Sequence, residues 1–157
     1  MSVNKDRPHV FLIPEDDANR QIANGFRLEF GNRQFHVEPV AGGWREVLLR
    51  FSSDHVNEMS RYPERLMILL LDFDRKFERR DEAKGHIPDQ LMDRVFVLGV
   101  WNEPEDFKHA NLGSLETIGR RLARDCRDNT KEVWRHEFLG HNAEELARLC
   151  GRMRAIQ

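Results

Sequence analysis

A chain of 157 residues, 39% hydrophobic and 33% charged, is long enough to form one domain with a proper core, and it contains no apolar run near the roughly 20 residues of a membrane-spanning helix. The formal net charge of -2 excludes a global basic field of the kind that advertises nucleic-acid binding. Arg nevertheless greatly outnumbers Lys, which favours planar, bidentate contacts with phosphate or carboxylate at local sites.

The first eight residues lack the apolar core of a signal peptide, so a cytoplasmic protein is expected. In that setting Cys126 and Cys150, on separate predicted helices, are expected to be small buried hydrophobes, and no Cys/His spacing resembles a zinc site.

His9 to Ile13 reads as a first strand, followed by Pro14 and the acids Glu15, Asp16 and Asp17. Ala18 to Phe30 carries Ile22, Phe26 and Phe30 at four-residue spacing, which predicts an amphipathic helix capped by Asp16 or Asp17. Gly31-Asn32 ends it. Gln34 to Val40 alternates as a second strand would, Ala41-Gly42-Gly43 is a turn, and Trp44 to Met59 predicts a second helix with Trp44, Val47, Leu48 and Phe51 on one face. Leu66 to Leu71 is a short, unbroken apolar run, which fits a strand buried on both faces of a parallel sheet. It stops at Asp72 and Asp74, which flank Phe73.

Arg75 to Gly85 is a charged loop or frayed helix, and Pro88 to Met92 a short helix with proline in its first turn. Arg94 to Trp101 is a fourth strand, ending in Asn102-Glu103-Pro104-Glu105-Asp106. Helices are expected over Ser114 to Arg127, opening on a capping motif, then over Lys131 to Leu139 and Asn142 to Met153, with Asn142 as a cap. Strands alternating with helices imply right-handed crossovers. The expected fold is therefore α/β: a mainly parallel four-stranded sheet flanked by helices, Rossmann-like, in a single domain over residues 1–157. Its core spans about residues 8–110, and C-terminal helices span about 114–155.

Acids follow three of the four predicted strands: Glu15, Asp16 and Asp17 after the first, Asp72 and Asp74 after the third, and Glu103, Glu105 and Asp106 after the fourth. In a parallel sheet these strand ends share one edge, where ligands of open α/β sheets bind. Converging carboxylates raise one another's pKa unless a cation sits among them, and all-oxygen ligands suit Mg²⁺ or Mn²⁺ rather than zinc. Such ions can activate water and stabilise the leaving oxygen in phosphodiester cleavage. An acid after a strand also commonly opens a turn or caps a helix. Arg75, Lys76, Arg79 and Arg80 follow the acidic pair and are candidates for phosphate contact, or else a solvated loop. No glycine-rich phosphate loop and no nucleophile elbow is present.

A glutamate after the first strand with an Asp-x-Asp after the third resembles the Toprim fold of topoisomerases, bacterial primases and nucleases of the OLD (overcoming lysogenisation defect) type. The matching residues are Glu15, Asp72 and Asp74, and the resemblance covers about residues 8–110. Glu103-Pro104-Glu105 is similar to the Glu-x-Glu of the nuclease branch. The resemblance implies metal binding by Asp72 and Asp74, with Glu15 as a metal ligand or general acid/base, and Glu103 and Glu105 as further ligands. The implied function is Mg²⁺- or Mn²⁺-dependent cleavage of DNA or RNA, with any ATPase supplied by a separate chain. One departure is Pro14-Glu15-Asp16, where the family often has Gly beside the Glu. Other readings are a non-catalytic module of the same fold that binds metal or nucleic acid or scaffolds partners, and a receiver-like phosphoacceptor domain, which would need a Lys after a fifth strand. A haloacid dehalogenase-type phosphatase would place its Asp-x-Asp after the first strand.

Overall fold

The computed structural model describes residues 3–31, 33–102, 104, 107, 112–136 and 139–156. Its centre is the expected apolar strand. Strand β3 (Arg65–Asp72) lies between β1 (His9–Pro14) and β4 (Val95–Val100), and β2 (Phe35–Val37) pairs with the far side of β1. All pairings are parallel, with Leu12 opposite Ile68 and Ile68 opposite Phe96. Because strand side chains alternate, β3 feeds two cores. Leu66, Ile68 and Leu70 face helices α1 (Asp17–Phe30), α5 (Leu115–Asp128) and α6 (Ala143–Arg154). Met67, Leu69 and Leu71 face α2 (Trp44–Arg50), α3 (Val56–Arg61) and α4 (Phe77–Gly85).

Strand order β2-β1-β3-β4 means that the chain reverses direction across the sheet after β2. With right-handed crossovers a reversal puts the next helices on the opposite face, which is why α1 covers one face and α2 to α4 the other. The reversal also opens a crevice between the carboxyl ends of β1 and β3. On the first face α1 and α5 approach closely through Gly25 and Gly119. A Cβ at Gly25 would overlap the carbonyl of Glu116, and one at Gly119 that of Ile22.

Several elements differ from expectation. The predicted helix Trp44 to Met59 is α2, a π-helical turn over Phe51–His55, and α3, which runs on to Arg61. Strand β2 ends at Val37, and its ladder closes with Glu38 N–H donating to Leu12 O, since Pro39 has no N–H to continue it. Of the two readings of the charged segment after Asp74, loop or frayed helix, the structure has the helix, α4. Residues 131–136 are turns rather than the start of a helix, because the buried Asp125 carboxylate accepts from Val133 N–H (2.8 Å), Trp134 N–H (3.4 Å) and the Thr130 hydroxyl (2.7 Å).

Asn142 precedes α6 but makes no capping hydrogen bond with its side chain. It accepts from Gly99 N–H (3.1 Å) and donates to Gly99 O (2.9 Å), and Glu145 accepts from Val97 N–H (3.0 Å). These side chains satisfy the open edge of β4 as a fifth strand would. Burial alone would raise the Glu145 carboxyl, but Lys84, the Val97 N–H and Arg148 hold it below the usual carboxylate range.

Cys126 and Cys150 are buried as expected but are not separate thiols: they form a disulfide between α5 and α6, with Cα atoms 4.9 Å apart. The spacing of two predicted helices could not reveal that they meet at these two positions. A cross-link spanning 24 residues contributes about 3 kcal/mol by loop entropy. Replacing both cysteines with alanine should therefore lower the melting temperature by about 10 °C in a thermal scan, with the fold retained.

At the amino ends of the strands, His9 Nε2 accepts from the buried Arg65 Nε at 3.0 Å, and the Arg65 guanidinium stacks 3.9 Å from the centre of the Phe11 ring. His55 lies 3.3 Å from Glu38. Burial, with the Arg65 charge adding to it, holds His9 and His55 below their ordinary value of 6.5 despite the opposing Glu38 charge beside His55. Both are neutral in the fold, while the unfolded chain takes up protons near 6.5, so stability is full above that pH and lost below it. That contribution lowers the melting temperature as the pH falls from 8 to 5, and His9→Gln removes part of it, so the variant's melting temperature relative to wild type should rise over that range.

Candidate metal centre

The crevice between β1 and β3 is where the acids meet. Glu15, the residue after β1, continues the ladder with its N–H donating to Leu70 O (3.0 Å), and the turn Ala41-Gly42 closes over it through Gly42 N–H to Glu15 O (2.9 Å). Its side chain is thereby turned toward β3, and Oε2 accepts from the Asp72 N–H at 2.7 Å. Asp16 is the N-cap of α1, with Oδ1 accepting from Asn19 N–H at 2.9 Å. Asn19 sits one turn into α1, and helical side chains lean toward the N-terminus, so its amide reaches back into the crevice. Its Nδ2 donates to Asp16 Oδ1 and to Asp72 Oδ1, both at 3.0 Å.

One carboxylate oxygen from each of Glu15, Asp16 and Asp72 lies within 4.8 Å of the others. Among the described residues no other three His, Cys, Asp or Glu side chains come together in this way. Glu15 is buried, and Asp16 and Asp72 are half-buried. Burial raises the Glu15 carboxyl, with the Asp16 charge adding and the hydrogen bonds from Asp72 opposing. Burial and the charges of Asp16 and Glu15 push Asp72 up to about 8 against the opposing Asn19 amide. The group therefore retains a proton at neutral pH, as crowded carboxylates do without a counter-charge, and this acidic group could hold a metal ion.

The other predicted site residues are distributed around it. Asp74 is turned away: its backbone is left-handed (φ 49°), its side chain is 58% exposed, and it lies 3.6 Å from Arg79. Arg79 is the one of the four basic candidates that reaches the site, donating from Nη1 to Asp72 O at 2.8 Å with its guanidinium over the Trp44 ring. Arg75 donates to Asn102 Oδ1 (3.2 Å) and Arg80 to His141 O (3.4 Å), both away from the carboxylates. Lys76 is the exposed residue before α4. Glu103, Glu105 and Asp106 lie outside the described residues.

Sequence reading did not select Asp16 as a ligand or Asn19 at all. The signal was there in the Asp16-x-x-Asn19 spacing, which places the third residue of a capped helix beside its cap. No helix of the described residues is long and apolar enough to cross a membrane. No family model, curated protein or solved structure matches the chain.

The raised Asp72 has a consequence for stability. An acid at about 8 in the fold and 3.8 as its reference contributes stability that is full below 3.8 and lost as pH rises through 8. Asp72→Asn cannot ionise and escapes that loss. In chelator, variant and wild type should melt together near pH 4, and the variant should melt higher by about 5 °C at pH 9.

Proposed function

We propose that this chain is a Toprim-like, metal-dependent nuclease module that cleaves phosphodiesters of DNA or RNA and works with a partner protein. The observation that carries the reading is the convergence of Glu15, Asp16 and Asp72 at the crevice between β1 and β3, with Arg79 beside them. The donor set is entirely hard oxygen, which fits Mg²⁺ or Mn²⁺, and the crowding that keeps a proton on Asp72 is relieved when a cation takes its place. Such an ion, held by Glu15, Asp16 and Asp72, would supply an activated water and charge stabilisation for phosphodiester hydrolysis.

The chain's own residues do the rest. Asp72 is fixed at the end of the central strand, and its N–H orients the Glu15 carboxylate. Arg79 is steadied by the Asp72 carbonyl and the Trp44 ring, and so presents its guanidinium next to the carboxylates, where a phosphate oxygen would pair with it. The near-neutral net charge offers little grip on a polyanion, which supports a requirement for a partner, such as a separate ATPase chain.

The test is incubation of plasmid, single-stranded DNA and RNA with the protein and Mn²⁺. Wild type should nick at least one of these, and Glu15→Gln and Asp72→Asn should each reduce cutting at least about 100-fold. Cutting that survives both substitutions removes the site. Intact Mn²⁺ binding with no cutting by the wild type, alone or with partners captured from the native host, selects the non-catalytic module of the same fold.

A further inference from the structure

We infer that Asn19 is an oxygen ligand of the cation held by Glu15, Asp16 and Asp72, brought to it by a half-turn of its side-chain amide; this rests on the metal reading above. Asn19 is completely buried, yet its Oδ1 has no hydrogen-bond partner among the described residues. A buried acceptor without a partner is disfavoured, and its persistence calls for a cause. The other end of the same amide is fully used, since Nδ2 stands 3.0 Å from both Asp16 Oδ1 and Asp72 Oδ1.

Rotation by about 180° about the Cβ–Cγ bond exchanges the two ends of a planar amide at nearly the same positions. It would put Oδ1 where Nδ2 now stands, and Nδ2 where Oδ1 now lies without a partner. Two oxygens at neighbouring corners of an octahedral ion with bonds of about 2.1 Å are about 3 Å apart. The position held by Nδ2 therefore has the spacing that a third ligand needs beside one oxygen of Asp16 and one of Asp72.

Both states follow from charge. Without a cation, the amide donor bridges Asp16 and Asp72 and holds them at ligand spacing. With a cation among them, that bridge is redundant and the unpartnered oxygen becomes the useful end. The main chain need not move, because Asn19 N–H is fixed separately to Asp16 Oδ1 at 2.9 Å. A neutral ligand also completes the set without adding a fourth negative charge. Three carboxylates and one amide oxygen leave further positions of a six-coordinate ion for water and phosphate oxygen.

The experiment uses Mn²⁺ as the probe and the full chain labelled with ¹³C at the asparagine side-chain carbonyl. Electron–nuclear double resonance of the Mn²⁺-loaded wild type should show a ¹³C coupling from a carbon two bonds from the ion, and Asn19→Leu should abolish it. Calorimetry should show Asn19→Leu binding Mn²⁺ about tenfold more weakly, and Asn19→Asp, which keeps an oxygen there, binding at least as tightly as wild type. Circular dichroism melts identify any variant that has lost the fold, and for these the coupling in the wild type alone decides. Mn²⁺ bound to the wild type without the coupling overturns the role of Asn19 and leaves the metal site standing, as does wild-type affinity in a folded Asn19→Leu. Absence of Mn²⁺ binding by the wild type, or binding unchanged in Asp72→Asn, overturns the site itself and Asn19's role with it.

Discussion

The structure depends on the burial of β3 on both faces. Six consecutive apolar residues, Leu66 to Leu71, cannot leave either side of the strand in water, so helices must cover both. Two covering layers reached by right-handed crossovers require the chain to reverse across the sheet, and the reversal after β2 places β1 beside β3 with a crevice at their carboxyl ends. The site is thus a by-product of covering the central strand. Its backbone supports, Glu15 N–H to Leu70 O and Asp72 N–H to Glu15 Oε2, belong to the β1–β3 pairing.

Against that apolar frame the acids are conspicuous. Two other buried acids are held locally: Glu145 is gripped by Lys84 and Arg148, and Asp125 ties down the turn after α5 through backbone N–H groups. Glu15 and Asp72 are treated differently. Arg79 spends its donor on the Asp72 carbonyl and its nearest carboxylate is Asp74, so the charge at the crevice is left in excess. A protein that pairs its other buried acids and leaves these crowded has an electrostatic reason to recruit a cation there.

The edges of the sheet are managed by different means. At β4, Asn142 and Glu145 substitute side-chain groups for a missing strand, and the disulfide fastens α6, which carries Glu145, to α5. At β2, the strand is cut short by Pro39, and Arg50 donates to the carbonyls of Pro39 and Val40. The first device leaves the sheet without an open ladder at β4, and the second keeps the β2 edge short.

The sequence by itself determined the elements whose cause is local. The apolar run of β3, the four-residue spacing of α1, the Asp16 cap and the Ser114 cap of α5 all follow from neighbours within a few residues, where periodicity and capping chemistry act. The parallel order of the sheet was also legible, because crossover handedness leaves few alternatives. Tertiary structure decided what depends on residues far apart in the chain. The amide of Asn19 meets Asp72 across 53 positions, Glu15 meets Asp72 across 57, and Asn142 meets Gly99 across 43. The Cys126–Cys150 bond joins two helices whose faces could be predicted but whose contact could not. Asp72 and Asp74 look equivalent in sequence, yet the left-handed turn at Asp74 and Arg75 sends one carboxylate into the crevice and the other to solvent. That separation comes from how the chain leaves the sheet, with Arg75 N–H held by Trp101 O at 2.7 Å, a contact that forms only once β3 and β4 are paired.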